Sequence, residues 1–294
     1  MITVQRNPQP EAIPQSARHV LFVEGKDENA LDPVILSELL PDPVEVKPLG
    51  PSYHISAAAE ALHKHHPDYY FLVDRDHYDD AFVEKCWKEF PDPDTNNLLV
   101  WRRRELENYF LIPEYAGKSQ FLNVTEQELR KTILDCCSRR LFLDAANQVI
   151  VAIREEQKMK WVELFTKANE FPTRKAALEK LLQVKEFAER KKAVSEQMTK
   201  KALSKRFETI LNGLAGGKTA LEFGCGRWLE LLKGKEVLPT VVQKCFTVRD
   251  ANDRALQGRD KVNEVAKDLV RKPLAEQPDD FQRLHQLIAD RVKS

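Results

Sequence analysis

VLFVEGKDE, Val20 to Glu28, and YYFLVDRD, Tyr69 to Asp76, decide how this chain is read. Each is an apolar run of strand character that ends in acid, Glu24 in the first and Asp74 with Asp76 in the second. In an open parallel sheet the carboxyl ends of the strands share one edge, and ligands bind in the crevice outside it. Acids far apart in sequence therefore meet there. Three carboxylates at strand ends are the hard oxygen donors that a magnesium ion takes, alongside waters and the phosphates of a substrate.

Outward from these two stretches, strands and helices alternate. His19 to Val23 reads as a strand, and Asp32 as the cap of a helix with Pro33 at its first position and Ile35, Leu36, Leu39 and Leu40 facing inward. Pro41 ends that helix. Val44 to Leu49 forms a second strand, Ile55, Ala58, Ala59 and Leu62 recur at helical spacing, and Tyr69 to Val73 is a continuous buried-type strand. Ala81 to Phe90 reads as a helix, and Leu98 to Trp101 as a fourth strand that runs into Arg102, Arg103 and Arg104. This alternation predicts a Rossmann-like α/β core with a parallel sheet.

The second half changes character. Thr125 followed by Glu128 makes a capping box before a long helical stretch, and Thr173 opens another that continues, with breaks, towards Leu211 and Gly213. Three apolar sets then mark further amphipathic helices: Trp228, Leu229, Leu231 and Leu232; Leu256, Val262, Val265 and Leu269; and Phe281, Leu284 and Leu287. The expected division is a flexible segment over 1–16, the α/β domain over 17–120, and a basic, mostly α-helical domain over 121–294 that packs back on the core.

The 294 residues carry 46 Lys or Arg and 46 Asp or Glu, a balance that hides an asymmetry. Residues 1–125 hold 12 basic against 21 acidic residues, leaving 34 against 25 for the remainder. Between Arg174 and Arg206 the count is 11 against 4. Such a stripe tracks phosphates by releasing their counterions, or is simply a solvated helix face. The five cysteines show no C-x-x-C spacing for zinc. The proline-bearing N-terminal residues lack the apolar core of a signal peptide, and no apolar run approaches membrane-spanning length. The expectation is a reduced, cytoplasmic protein with no membrane partner.

The glutamate closing the first strand, Glu24 followed by Gly25, and the D-x-D of Asp74 and Asp76 closing a later one resemble the TOPRIM domain of topoisomerases, bacterial primases and overcoming-lysogenization-defect (OLD) nucleases. WRRRELENYFL, Trp101 to Leu111, is similar to the E-x-E-N-Y element of stand-alone OLD-like TOPRIM proteins of bacterial anti-phage defence, the PARIS-type effector subunits. Gly234-Lys235 resembles a Gly-Lys found late in that group. The TOPRIM resemblance covers roughly residues 18–115. It implies a metal-dependent nuclease that acts as a toxic effector, restrained by a separate ABC/SMC-like ATPase subunit. It also makes tRNA a candidate substrate, with DNA as the alternative. No segment of the chain itself reads as that ATPase.

The resemblance and the chemistry together assign candidate roles. Asp74 and Asp76, two apart on an extended segment, would point the same way and share Mg²⁺, with Mn²⁺ as the alternative. Glu24 would hold an ion or accept a proton from the attacking water, and without metal one of these close carboxylates should have a raised pKa. Glu105 and Glu107 would complete the cluster, with Glu105 towards the metal and Glu107 towards catalysis, unless they only favour a helix N-terminus. Lys26 and Lys235 are candidates for stabilising charge on a pentacoordinate phosphate, Lys235 through the resemblance alone. Arg102, Arg103, Arg104, Lys191, Lys192, Lys200 and Lys201 are candidate nucleic-acid contacts, and a homodimer would set two sites against one substrate.

Two patterns mislead. Gly216-Gly217-Lys218-Thr219 resembles a phosphate loop, but Asn212 stands where its first glycine belongs and no strand precedes it. His63, His65 and His66 lack zinc-ligand spacing and read as surface residues. A phosphatase of the haloacid-dehalogenase type also uses D-x-D, but after its first strand, whereas here the first strand ends in Glu24. A non-catalytic docking module remains the alternative of another class.

Overall fold

The structure, a computed structural model, describes residues 19–76, 78–158, 165, 167–170 and 172–293. The expectation for 1–16 falls outside these residues. By contacts the chain divides into two compact units, one comprising residues up to Cys137 together with Leu229 onward, the other Ser138–Trp228. The sequence placed one boundary at 120 and kept 121–294 together, so the units divide the chain elsewhere.

The first unit is built on a four-stranded parallel sheet of β1 (His19–Val23), β2 (Val44–Pro48), β3 (Tyr69–Val73) and β4 (Leu98–Val100), in the order β2-β1-β3-β4. Helices flank the sheet and a largely α-helical region follows it, a generic Rossmann-like α/β arrangement. Every residue of β1 (HVLFV) and β3 (YYFLV) is buried, which is why the central strands read as unbroken apolar runs. β2 is half-buried at one edge, where Lys47 pairs with Glu45 at 2.9 Å. The register pairs Phe22 with Phe71 and Val73 with Val100. The chain winds to one side of β1 for β2 and to the other for β3, so a topological switch point lies between the carboxyl ends of β1 and β3.

Helices α1 (Leu31–Leu39), α2 (Ser52–Leu62) and α3 (Asp80–Glu89) connect these strands. Trp87 on α3 donates its indole N–H to the Val100 carbonyl at 2.9 Å, fixing that helix on β4. One expectation is corrected here. The cap of α1 is Ala30, with φ −61° and ψ 156°, and Asp32 lies inside the first turn with only 6% of its surface exposed. It is a buried acid rather than a solvent-facing cap. His63 is also buried, its Nδ1 bonded to the Ala59 carbonyl at 2.8 Å, so the surface reading holds only for His65 and His66, which are exposed.

After β4 come a short 3-10 turn (Leu106–Asn108) and α4 (Pro113–Ala116), then α5 (Glu126–Lys158). The Thr125 capping box forms as read: its amide donates to Glu128 Oε2 at 2.9 Å, and the Glu128 amide to Thr125 Oγ1 at 3.2 Å.

In the second unit, α6 (Arg174–Leu182), α7 (Lys185–Gln197) and α8 (Lys200–Ala215) realise the broken helical stretch. Thr173 caps α6 through the Ala176 amide at 3.2 Å. Arg206 holds Glu156 through two bonds of 2.6 and 2.9 Å. Gly216 ends α8 with φ +64°, so the Gly-Gly-Lys-Thr run begins as a helix stop and follows no strand.

After α9 (Trp228–Leu231), helices α10 (Gly234–Cys245), α11 (Gly258–Val270) and α12 (Asp279–Lys293) return to the first unit. α11 packs on α1 and on α10, and α10 packs on the 3-10 turn. Phe281 of α12 is fully buried among the rings of Trp101, Tyr109, Phe110 and Tyr115. Among the described residues no helix is long and apolar enough to cross a membrane.

Candidate functional site

Val23 ends β1 and Val73 ends β3, and these strands are neighbours, so Glu24 and Asp74 emerge side by side at the switch point. They are stitched together directly: the Asp74 amide donates to Glu24 Oε1 at 3.0 Å. Gly25 follows with φ +150°, and a Cβ there would sit 3.0 Å from the Ala30 side chain. Glycine is what lets the chain turn away tightly enough to leave Glu24 facing the crevice.

Beyond Asp74 the strand does not continue. Arg75 is buried and turned into the fold, bonded to Asp80 at 2.6 Å, the Arg102 carbonyl at 2.9 Å and the Tyr78 carbonyl at 3.1 Å. Asp76 takes a left-handed backbone, φ +42°, and is exposed. The two aspartates are therefore not an extended pair with parallel side chains. They remain close enough for the charge of Asp76 to act on Asp74.

The turn after β4 brings the next acids. Glu105 and Asn108 cap each other across the 3-10 turn, and the Glu105 amide donates to Asn108 Oδ1 at 3.1 Å. Glu105 Oε2 also accepts from the Lys235 amide at 2.7 Å. The Asn108 amide group donates to the carbonyls of Leu229 and Leu232 at 3.1 and 2.9 Å. A Cβ on Gly234 would lie 2.6 Å from Asn108 Oδ1, so only glycine permits this approach. The start of α10 is thereby pinned against the turn, and the half-buried Lys235 forms an ion pair with Asp74 Oδ2.

Glu24 and Lys235 line a cleft of ≈ 690 Å³ together with Lys26, Asp32, Glu107 and Arg259. Lys26 is exposed on it. Arg259 closes one side by binding Asp27 at 2.5 Å and the Asn29 carbonyl at 2.8 Å. Asp32, which the sequence assigned to a cap, thus belongs to the site.

Charge is crowded here. Burial, and then the repulsion of Asp74, push the Glu24 carboxyl up to about 7. Burial and neighbouring acids raise Asp32 and Glu107 well above the usual carboxylate range, and burial raises Glu105. Burial works against the Lys235 ammonium, yet Asp74, Asp32 and Glu107 outweigh it and hold the lysine firmly charged. One ammonium cannot balance so many carboxylates, so protons or further cations complete the site.

The donor set suits a divalent ion such as Mg²⁺ in chemistry: all are hard oxygens, and two buried ones, Asp74 Oδ1 and Glu107 Oε2, have no hydrogen-bond partner. It is not preset in geometry. Among the described residues no three His, Cys, Asp or Glu side chains already surround one point, and Lys235 holds Asp74.

The arginines after β4 are committed to the fold. Arg102 binds Glu84 at 2.7 and 3.0 Å and Asp280 at 2.6 Å, over the Trp87 ring at 4.3 Å. Asp280 also accepts from the Tyr109 hydroxyl at 2.5 Å. Arg103 lies over the Tyr109 ring at 5.4 Å, and Arg104 donates to the Leu231 carbonyl at 3.2 Å. Lys191, Lys192, Lys200 and Lys201 are all exposed in the second unit, with Lys192 3.9 Å from Glu196. Compared with protein-family models and with curated proteins, the chain matches none.

Proposed function

We propose that this chain is a divalent-metal-dependent nuclease of the TOPRIM type, cutting phosphodiester bonds at the edge where Glu24 and Asp74 close adjacent strands, with Asp76, Glu105, Glu107 and Lys235 as the other candidate site residues. One observation carries the reading: Glu24 and Asp74 close adjacent central strands at the switch point, joined by a 3.0 Å bond, with Lys235 on Asp74. A Rossmann-like core used only for docking has no need to bury Asp74 and Glu107 with an unpartnered oxygen each.

An acidic cluster alone repels a phosphate polymer. Mg²⁺ or Mn²⁺ held by Glu24, Asp74 and Asp76, with Glu105 beside them, would supply the positive charge that draws the phosphate in and stabilises its entering and leaving oxygens. The chain's own groups do the rest. Glu24, where it does not hold the ion, accepts the proton of the attacking water on the oxygen that the Asp74 amide leaves free. Glu107, whose carboxyl burial and the nearby Asp32 raise well above the usual carboxylate range, is the group placed to give a proton to the leaving oxygen as the P–O bond breaks. Lys26 on the cleft and the ammonium of Lys235 offset the charge that builds on the phosphorane. Lys191, Lys192, Lys200 and Lys201 are candidates for phosphate contacts outside the cleft.

The substrate and setting rest on the resemblance: RNA, with tRNA first, DNA as the alternative, and a separate ABC/SMC-like ATPase as the restraining partner. Expression of wild type beside Glu24→Ala in cells, with total RNA and genomic DNA displayed on gels, tests this. Glu24-dependent RNA fragments with intact DNA are the expected result. Glu24-dependent DNA breaks would move the assignment to the alternative, and fragments that persist in Glu24→Ala would remove Glu24 from the site.

A further inference from the structure

We propose that in the metal-free protein the Lys235 ammonium takes the place of a divalent cation on Asp74, and that Lys235 leaves Asp74 when such a cation binds. This rests on the metal-dependent reading above and adds an exchange step to it.

The geometry carries it. Asp74 is 2% exposed, one of its oxygens is held by Lys235, and the other has no partner. A carboxylate this buried stays charged only with a cation against it. A divalent ion on Asp74 and an ammonium on the same carboxyl repel each other, so the two occupancies compete.

The lysine is built to move while its backbone stays. Its amide is held by Glu105 Oε2 at 2.7 Å, and Gly234 before it is locked against Asn108. The flexible four-carbon stem is then the only free part. The open side is the ≈ 690 Å³ cleft, which Lys235 lines together with Asp32 and Glu107. Both carboxyls act on its charge. On leaving Asp74 the ammonium thus keeps partners in the cleft, where it also meets an incoming phosphate. Asp32 becomes a positioning residue for Lys235.

Calorimetric titration of Mn²⁺ and of Mg²⁺ into the full chain, wild type and Lys235→Met, tests the exchange. Removing the competing ammonium should tighten divalent binding roughly tenfold, the size of a modest coupling between linked equilibria. Equal or weaker binding in Lys235→Met overturns the exchange and leaves the metal reading standing. Binding to neither protein overturns both.

If Lys235→Met does not fold, amine acylation of the wild type read by mass spectrometry decides. The labelling rate at Lys235, referenced to the exposed Lys191 and Lys192, should rise several-fold at saturating Mg²⁺. An unchanged rate overturns the exchange.

Discussion

Replacing Glu24 by Gln should stabilise the metal-free protein at alkaline pH and leave it unchanged in acid. The carboxyl is pushed from 4.5 up to about 7 by burial and by Asp74. Between these values the folded protein binds more protons than the unfolded chain, so stability falls as pH rises from about 4.5 to about 7, and the deficit then stays constant. A displacement of this size corresponds to about 3 kcal/mol. Solvent reaching the partly exposed carboxylate screens some of it, leaving about 2 kcal/mol. Glutamine keeps an oxygen for the Asp74 amide and carries no charge. Urea unfolding in EDTA should therefore give equal midpoints for both proteins at pH 4.5. At pH 8 the variant should gain about 2 kcal/mol, or roughly 4 to 8 °C in melting temperature. A variant no more stable than wild type at pH 8 would refute the crowding of charge inferred for this edge.

Gly234→Ala places a methyl 2.6 Å from Asn108 Oδ1, so it should cost about 1–3 kcal/mol by overpacking and displace Lys235 from Asp74. Thermal melts and cleavage assays check this, and a variant with wild-type melting and activity would contradict the lock between α10 and the 3-10 turn. Charge reversal at Lys191, Lys192, Lys200 and Lys201 should weaken nucleic-acid binding and flatten its dependence on salt, measured by fluorescence anisotropy across a salt series. An unchanged salt slope would leave these lysines as a solvated helix face.

The central strands were legible because burial on both faces leaves continuous apolar runs, and acids directly after them stand out. His19–Val23 and Tyr69–Val73 form as read, and the switch point between them brings Glu24 to Asp74. Asp32 was hidden because an acid just before Pro33 has the form of a helix cap. Only the tertiary approach of Glu107 and Lys235 reveals it as part of the cleft. Local sequence equally could not say that Arg102 meets Asp280 and Glu84, or that carbonyls near α9 receive Arg103 and Arg104. Gly234-Lys235 was marked only by its resemblance to a Gly-Lys of the OLD-like group, not by its local pattern. Its role depends on Asn108 lying against the glycine with no room for a side chain. The D-x-D was legible as acid but not as shape, since the left-handed turn at Asp76 breaks the alternation that an extended segment would give.

The measurement closest to the central claim is cleavage by the purified chain. Labelled tRNA and single- and double-stranded DNA would be incubated with wild type, Glu24→Ala and Asp74→Asn, in Mg²⁺, in Mn²⁺ and in EDTA. The account predicts cleavage that requires the divalent ion and vanishes in both variants while their folds persist. Cleavage that continues in EDTA, or in either variant, would contradict it.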